Sequence, residues 1–162
     1  MPLTLTYGVT ILASSLLLFL VQPIMTKAIL PWFGGSAGVW TSAILFFQAF
    51  LLLGYAYAHF TTRYLTPRRQ VWLHVALLAA SLSLLPIAAS PAFKPDAASQ
   101  PIPRILAILA FSVGFPYFLL SATGPLLQRW YARRDHAAIP YRLFAISNIG
   151  SFGTLRRQER IF

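Results

Sequence analysis

The sequence predicts an all-α fold: a polytopic membrane helix bundle with four transmembrane helices and a partial fifth. Hydrophobic residues make up 57% of the 162 residues, charged residues make up 10%, and mean hydropathy is +0.66. A soluble domain carries about one-quarter charged residues. Four charge-free segments each exceed the roughly 20 residues that cross a bilayer. They are residues 2–26, 28–62, 70–93 and 105–128. The predicted principal partner of this chain is therefore the lipid bilayer.

The basic residues lie at the ends of these apolar segments. The formal net charge of +10 would favour nucleic-acid binding in a soluble protein, but here it indicates anchoring to lipid headgroups, so no nucleic-acid partner is expected. The chain contains no cysteine, which excludes disulfides and thiolate metal sites, and no metal or cofactor is expected. The predicted interface anchors are Lys27, Trp32, Trp40, Arg63, Arg68, Arg69, Arg129, Trp130, Arg133 and Arg134.

The distribution of Lys and Arg among the loops predicts the orientation. Three arginines in 63–69 fall on the same side as the four in 129–142, whereas Lys27, Lys94 and Arg104 fall on the other side. The positive-inside rule places the first group in the cytoplasm. We therefore expect a multi-pass protein of the inner (plasma) membrane with a cytoplasmic amino terminus. The first residues lack the basic start and small-residue cleavage pattern of a signal peptide, so the first segment is expected to remain as a helix.

The first predicted helix covers about residues 4–30 and carries a polar stripe. At 100° per residue, Ser15, Gln22 and Thr26 share one face, and Pro23 is expected to bend the helix beside Gln22. These groups could bond to neighbouring helices or line a solute path. Lys27 lies on another face, as an anchor or a ligand. The glycine-rich and aromatic turn that follows, 31–38, is expected to face outward.

A second predicted helix, about 39–64, repeats the same spacing of polar residues. Its stripe consists of Thr41, Gln48, Tyr55 and His59. His59 is either a proton-sensitive group or an interfacial histidine. Gly54 and Ala58 form a pair of small residues that lets another helix pack closely, either within the chain or from a second copy.

The rest of the chain is predicted to hold two further helices and part of another. The third helix covers about 71–89, with His74 and Ser81 on one face, and a proline-rich connector follows. The fourth helix, about 104–130, is interrupted near Gly114 and at Gly124-Pro125, which marks either kinks or a transporter site. The partial fifth helix covers 143–153. The membrane domain is thus residues 1–153, and 154–162 is a charged, aberrant tail at the cytoplasmic interface.

Four motifs carry a resemblance to a known family. They are QPIMTK at 22–27, LPWFGGS at 30–36, LSATGPLLQRW at 120–130 and PYRLFAISNIGS at 140–151. They resemble the membrane half of bacterial fused MFS/spermidine-synthase proteins, in which a transporter-like helical region precedes a domain similar to spermidine synthase. The resemblance covers about residues 5–153. From residue 154 charges replace the continuing fifth helix, so the chain is expected to be a truncated form.

The resemblance implies a transporter-like, MFS-like membrane domain that handles a polyamine or related small cationic solute. Aminopropyl transfer needs a nucleotide-binding domain and an acidic pocket, whereas this chain has only Asp96, Asp135 and Glu159, so no enzymatic activity or catalytic residue is expected. Two alternatives are a non-transporting anchor for a cytoplasmic aminopropyltransferase-like domain and a small membrane protein that oligomerises. The candidate solute-facing residues are Ser15, Gln22, Thr26, Thr41, Gln48, Tyr55 and His59.

Overall fold

The computed structural model describes residues 2–83 and 101–134, and every regular element within these two ranges is helical. There are five α-helices: α1 (Pro2–Ile29), α2 (Ala37–Tyr64), α3 (Pro67–Leu82), α4 (Pro101–Leu109) and α5 (Phe115–Arg134). A 3₁₀ turn (Leu30–Phe33) follows α1, and a π-helical segment (Ala110–Gly114) joins α4 to α5. The all-α class predicted from composition is confirmed.

α1 and α2 form the hairpin predicted from the glycine-rich turn. The chain leaves the 3₁₀ turn through Gly34 and Gly35, which both have φ of 70°. This left-handed conformation suits glycine because a side chain would clash with the backbone there. The N–H of Gly35 donates to the Leu30 carbonyl at 3.1 Å, so this carbonyl of the 3₁₀ turn has a hydrogen-bond donor.

Three stretches are long and apolar enough to cross a membrane by themselves. They are Leu5–Phe33, Ala37–Tyr64 and Pro101–Arg133. The described part of the third helix is 16 residues long, and it begins at Pro67, four residues before the predicted start, because Thr66 is extended and Pro67 suits a first helical position. Its continuation to residue 89 lies outside the described residues, so a fourth span stays a prediction.

α5 lies at the centre of the bundle and packs closely against α2. Gly54 is buried there, and a Cβ atom at this position would overlap the Ser121 hydroxyl and lie 2.9 Å from the Phe118 carbonyl oxygen. One turn further along α2, Ala58 packs against Ala122. The predicted close packing at Gly54 and Ala58 is thus made with α5 of the same chain.

The predicted interruptions of the fourth helix differ from each other in the structure. Near Gly114 the helix widens into the π-helical segment just before Pro116, whose ring and missing N–H are incompatible with a regular bond to the carbonyl four residues earlier. At Gly124-Pro125 the helix continues without a break in α5. The helix also begins three residues before its predicted start, at Pro101.

The largest hydrophobic cluster lies at the end of the bundle that holds the α1–α2 turn. Val39, Phe47 and Ile105 are buried in it, and Trp32 and Phe33 of the 3₁₀ turn pack against its edge. Ring contacts extend the cluster, with the centroids of Phe47 and Tyr117 4.9 Å apart. The opposite end, where α2 and α5 finish and α1 and α3 begin, is called the basic end below.

Three predicted segments lie outside the described residues. These are the proline-rich connector as far as residue 100, the partial fifth helix at 143–153 and the charged tail at 154–162. The last three residues predicted for the connector, 101–103, belong to α4 instead. The three acidic residues of the chain fall outside the described ranges as well.

Candidate functional site: polar residues between the helices

The polar stripe of α1 faces α5. The Gln22 amide donates from Nε2 to the Tyr117 hydroxyl at 2.8 Å, and Thr26 donates from Oγ1 to the Gln22 carbonyl at 2.7 Å. Thr26 is buried, and Gln22 is half-buried. Gln22 and Thr26 are therefore engaged in hydrogen bonds, and Gln22 joins two helices.

The polar stripe of α2 lies on the outer surface of the bundle, and its members Tyr55 and His59 also line spaces that α2 shares with α5. All four of its members are exposed in the isolated chain, and Thr41 donates to the Ala37 carbonyl of its own helix at 3.2 Å. The face of α2 that packs inside the bundle instead carries Phe46, Phe47 and Gly54. The structure therefore does not bring Thr41, Gln48, Tyr55 and His59 as one set against the α1 stripe.

A cavity of about 450 Å³ between α1, α2 and α5 does bring members of both stripes together. Ser15 lies in its α1 wall and Tyr55 lies in its α2 wall. The wall from α5 contains Ser121, Gly124-Pro125 and Gln128. This space is called the central cavity below. Its complete lining is Ser14, Ser15, Leu18, Leu51, Tyr55, Leu120, Ser121, Gly124, Pro125 and Gln128.

The central cavity lies near the middle of the three candidate membrane spans. Ser14, Tyr55 and Ser121 are each within five residues of the midpoint of their own span, which is about 7.5 Å or less along a helix axis, and each is displaced toward the basic end. Pro125 has no N–H, so the Ser121 carbonyl one turn earlier lacks its usual helical donor. Polar side chains and a freed carbonyl at this depth are the features by which helical transporters form solute sites.

The hydrogen-bonding capacity of the central cavity is only partly used. Ser121 donates to the Phe118 carbonyl at 2.7 Å and approaches the Phe50 carbonyl at 3.4 Å. Among the described residues, neither the Ser14 hydroxyl nor the Gln128 amide has a hydrogen-bond partner. Within the described ranges, the cavity therefore offers the Ser14 hydroxyl and the Gln128 amide to a polar solute.

A second polar cluster, which the sequence reasoning missed, fastens α3 to α5. Trp130 donates from Nε1 to Gln70 Oε1 at 2.9 Å, and Gln70 donates from Nε2 to the Leu65 carbonyl at 2.6 Å. His74 Nε2 lies 3.1 Å from Thr123 Oγ1. Helical spacing predicts that His74 and Ser81 share a face, and both residues are buried. Spacing within α3 could not identify the partners on α5, Thr123 and Trp130, which lie some 50 to 60 positions away in the sequence.

The predicted interface anchors lie near the ends of the helices, and their contact with lipid headgroups stays a prediction. Lys27, Arg63, Arg68, Arg69, Arg129 and Arg133 are exposed, whereas Trp32, Trp40 and Trp130 are half-buried. The Arg134 side chain lies outside the described residues. Arg133 donates to the Thr62 carbonyl at 3.1 Å, so this anchor also joins the ends of α2 and α5.

Comparisons with protein-family models, with curated proteins and with solved structures gave no match. The geometry of the described helices is consequently the basis for functional inference, and the resemblance to fused MFS/spermidine-synthase proteins stays a prediction.

Proposed function

We propose that this chain is a transporter-like membrane domain that binds a small polar solute in the central cavity. The proposal is carried by one observation: Ser14, Tyr55 and Ser121 meet near the middle of the spans beside the Gly124-Pro125 step, and Gln128 lines the same cavity closer to the basic end. Polar groups are costly in hydrocarbon unless they are satisfied. A solute that donates and accepts hydrogen bonds would satisfy them, and water would do so between binding events.

The chemistry of the cavity favours a neutral solute, or one with a single charge, over a polyamine. Its polar groups are hydroxyls, an amide and a carbonyl, which are uncharged. The described residues include seven arginines and one lysine but no carboxylate, so a polycation would meet repulsion without a compensating acidic ligand. The polyamine implied by the family resemblance is therefore the second candidate, and it would depend on acidic residues outside the described ranges.

Cysteine protection tests the proposal, because the chain has no native cysteine. Gln128→Cys in membrane vesicles should react with a small hydrophilic methanethiosulfonate, and Phe60→Cys, at an exposed apolar position of α2 at a similar distance from the middle of its span, is the matched lipid-facing control. We expect protection of Gln128→Cys by glycerol or urea as neutral probes and weaker protection by spermidine. Stronger protection by spermidine would identify a polyamine site.

The same measurement separates a transporter-like domain from a membrane anchor. An anchor needs only lipid-facing helices, and its central cavity would be filled by acyl chains. If Gln128→Cys reacts no faster than Phe60→Cys, water does not enter the central cavity, and the solute-binding proposal is overturned in favour of anchoring.

A further inference from the structure

A groove of about 500 Å³ opens between α2 and α5 at the basic end, separately from the α1 wall of the central cavity. Arg63 and His59 line it from α2, and Arg129 lines it from α5. Further from the end of the bundle its walls become uncharged, with Tyr55 and Pro125. It is called the α2–α5 groove below.

The α2–α5 groove combines strong positive charge with available donors. Arg63 and Arg129 are both exposed, and no carboxylate occurs in the two described ranges. Thr62 also lines the groove, but its hydroxyl donates to the His59 carbonyl at 2.9 Å, which leaves the guanidinium groups and the imidazole as donors. Arg133, one turn after Arg129, is held beside the groove by its bond to the Thr62 carbonyl at 3.1 Å. Three guanidinium groups thus gather around the ends of two helices.

This arrangement matches the chemistry of a phosphate group. Arginine presents several N–H donors in a planar fork that fits phosphate oxygens, and a bound anion relieves the repulsion between neighbouring guanidinium groups. Basic pockets between transmembrane helices at the membrane surface are characteristic binding sites for anionic lipid headgroups.

The shape of the groove indicates that the phosphate belongs to a lipid. Tyr55 lies eight residues before Arg63, or about 12 Å deeper into the membrane along α2, so the charge is confined to the mouth of the groove. Beyond Tyr55 the same face of α2 continues with Leu52 and Leu45, which are 69% and 62% exposed, and with the exposed Gln48 between them. A molecule with a charged head and apolar chains complements both parts, whereas a free phosphate ion would use only the mouth.

We propose that the α2–α5 groove binds the headgroup of an anionic phospholipid, with its acyl chains lying along the exposed leucines of α2. The guanidinium groups of Arg63 and Arg129 hold the phosphate at the mouth of the groove, whereas Tyr55 and Pro125 at its inner end also line the central cavity.

Lipid binding to the full chain in a neutral detergent tests this proposal, with native mass spectrometry as the readout. Phosphatidylglycerol should bind more tightly than phosphatidylcholine. Arg63→Gln and Arg129→Gln should each weaken phosphatidylglycerol binding about fivefold, the effect of one basic residue at a membrane surface. Arg104→Gln, at the opposite end of the bundle, is the matched control and should bind like the unmodified protein.

Three results would overturn the proposal. The first is equal binding of the two lipids, and the second is unchanged phosphatidylglycerol binding by both groove variants. The third is displacement of phosphatidylglycerol by an equal concentration of glycerol 3-phosphate, which would identify a site for soluble phosphates. Circular dichroism checks that each variant keeps its helix content. If a variant loses helix content, a salt titration of the unmodified protein tests the proposal instead. Phosphatidylglycerol binding that is constant between about 50 and 500 mM NaCl contradicts an electrostatic headgroup site.

Discussion

Gly54 determines how closely the two best-packed helices approach. A methyl group there would overlap the Ser121 hydroxyl and lie 2.9 Å from the Phe118 carbonyl oxygen, which is backbone and cannot move aside easily. We expect Gly54→Ala to lower the free energy of unfolding by about 1–3 kcal/mol, the usual cost of overpacking. The measurement is the loss of helical circular dichroism in mixed micelles of increasing SDS content.

Gly124→Ala is the matched control for this prediction. A Cβ atom at Gly124 meets nothing within 4 Å, and alanine favours a helix over glycine by about 1 kcal/mol, so its stability should equal or exceed that of the unmodified protein. If Gly54→Ala proves as stable as Gly124→Ala, then α2 and α5 are not as close as described.

The sequence around Gln22 predicts the helix face on which it lies but not its hydrogen-bond partner. Its spacing from Ser15 and Thr26 correctly placed it on a polar stripe, but the partner of its amide is Tyr117, 95 residues away. Through this hydrogen bond, Gln22 links α1 to α5. The residues with unused hydrogen-bonding groups in the central cavity, Ser14 and Gln128, were not among the candidates.

At the scale of elements, the attachment of α3 depends on Trp130. Its indole N–H donates to Gln70, which is 1% exposed and has no other way to satisfy its Oε1 among the described residues. Trp130→Phe keeps the aromatic volume but leaves that acceptor buried without a donor, a loss of about 1–3 kcal/mol. We expect faster amide hydrogen exchange in α3 and a lower melting temperature.

Trp72→Phe provides the comparison for this prediction. Trp72 lies on α3, the helix that carries Gln70, and is 76% exposed. It should leave both the exchange of α3 and the melting temperature unchanged. Equal effects of the two substitutions would show that general loss of tryptophan, rather than the bond to Gln70, governs the attachment of α3.

Helix positions were more predictable than helix faces. Charge-free length located α1, α2 and the α4–α5 stretch to within a few residues, because a bilayer imposes that length. The polar spacing of α2 identified a stripe but not its direction, since small and aromatic residues such as Ala43 and Phe47 decide which face meets α5. The π-helical segment before Pro116 was foreseen only as an interruption, because proline limits the local bonding without specifying the alternative.

At the scale of the whole molecule, composition correctly predicted a helical protein with apolar spans, but the arrangement of helices needed the structure. Chain order gives no sign that α5, the last described helix, packs centrally against α1, α2 and α3, nor that the central cavity forms beside it. Such contacts depend on the mutual fit of distant side chains. The predicted orientation likewise depends on loop charges and not on the fold.

The central claim is that α1 and α2 cross a bilayer as a hairpin, and side-specific cysteine labelling tests it most directly. Ser36→Cys lies in the turn between the helices, and Arg68→Cys lies at the basic end; both positions are exposed. With a membrane-impermeant maleimide, we expect Ser36→Cys to react in intact cells and Arg68→Cys to react only after permeabilisation. The opposite pattern would reverse the predicted orientation, and labelling of both positions from the same side would contradict a membrane-spanning α2.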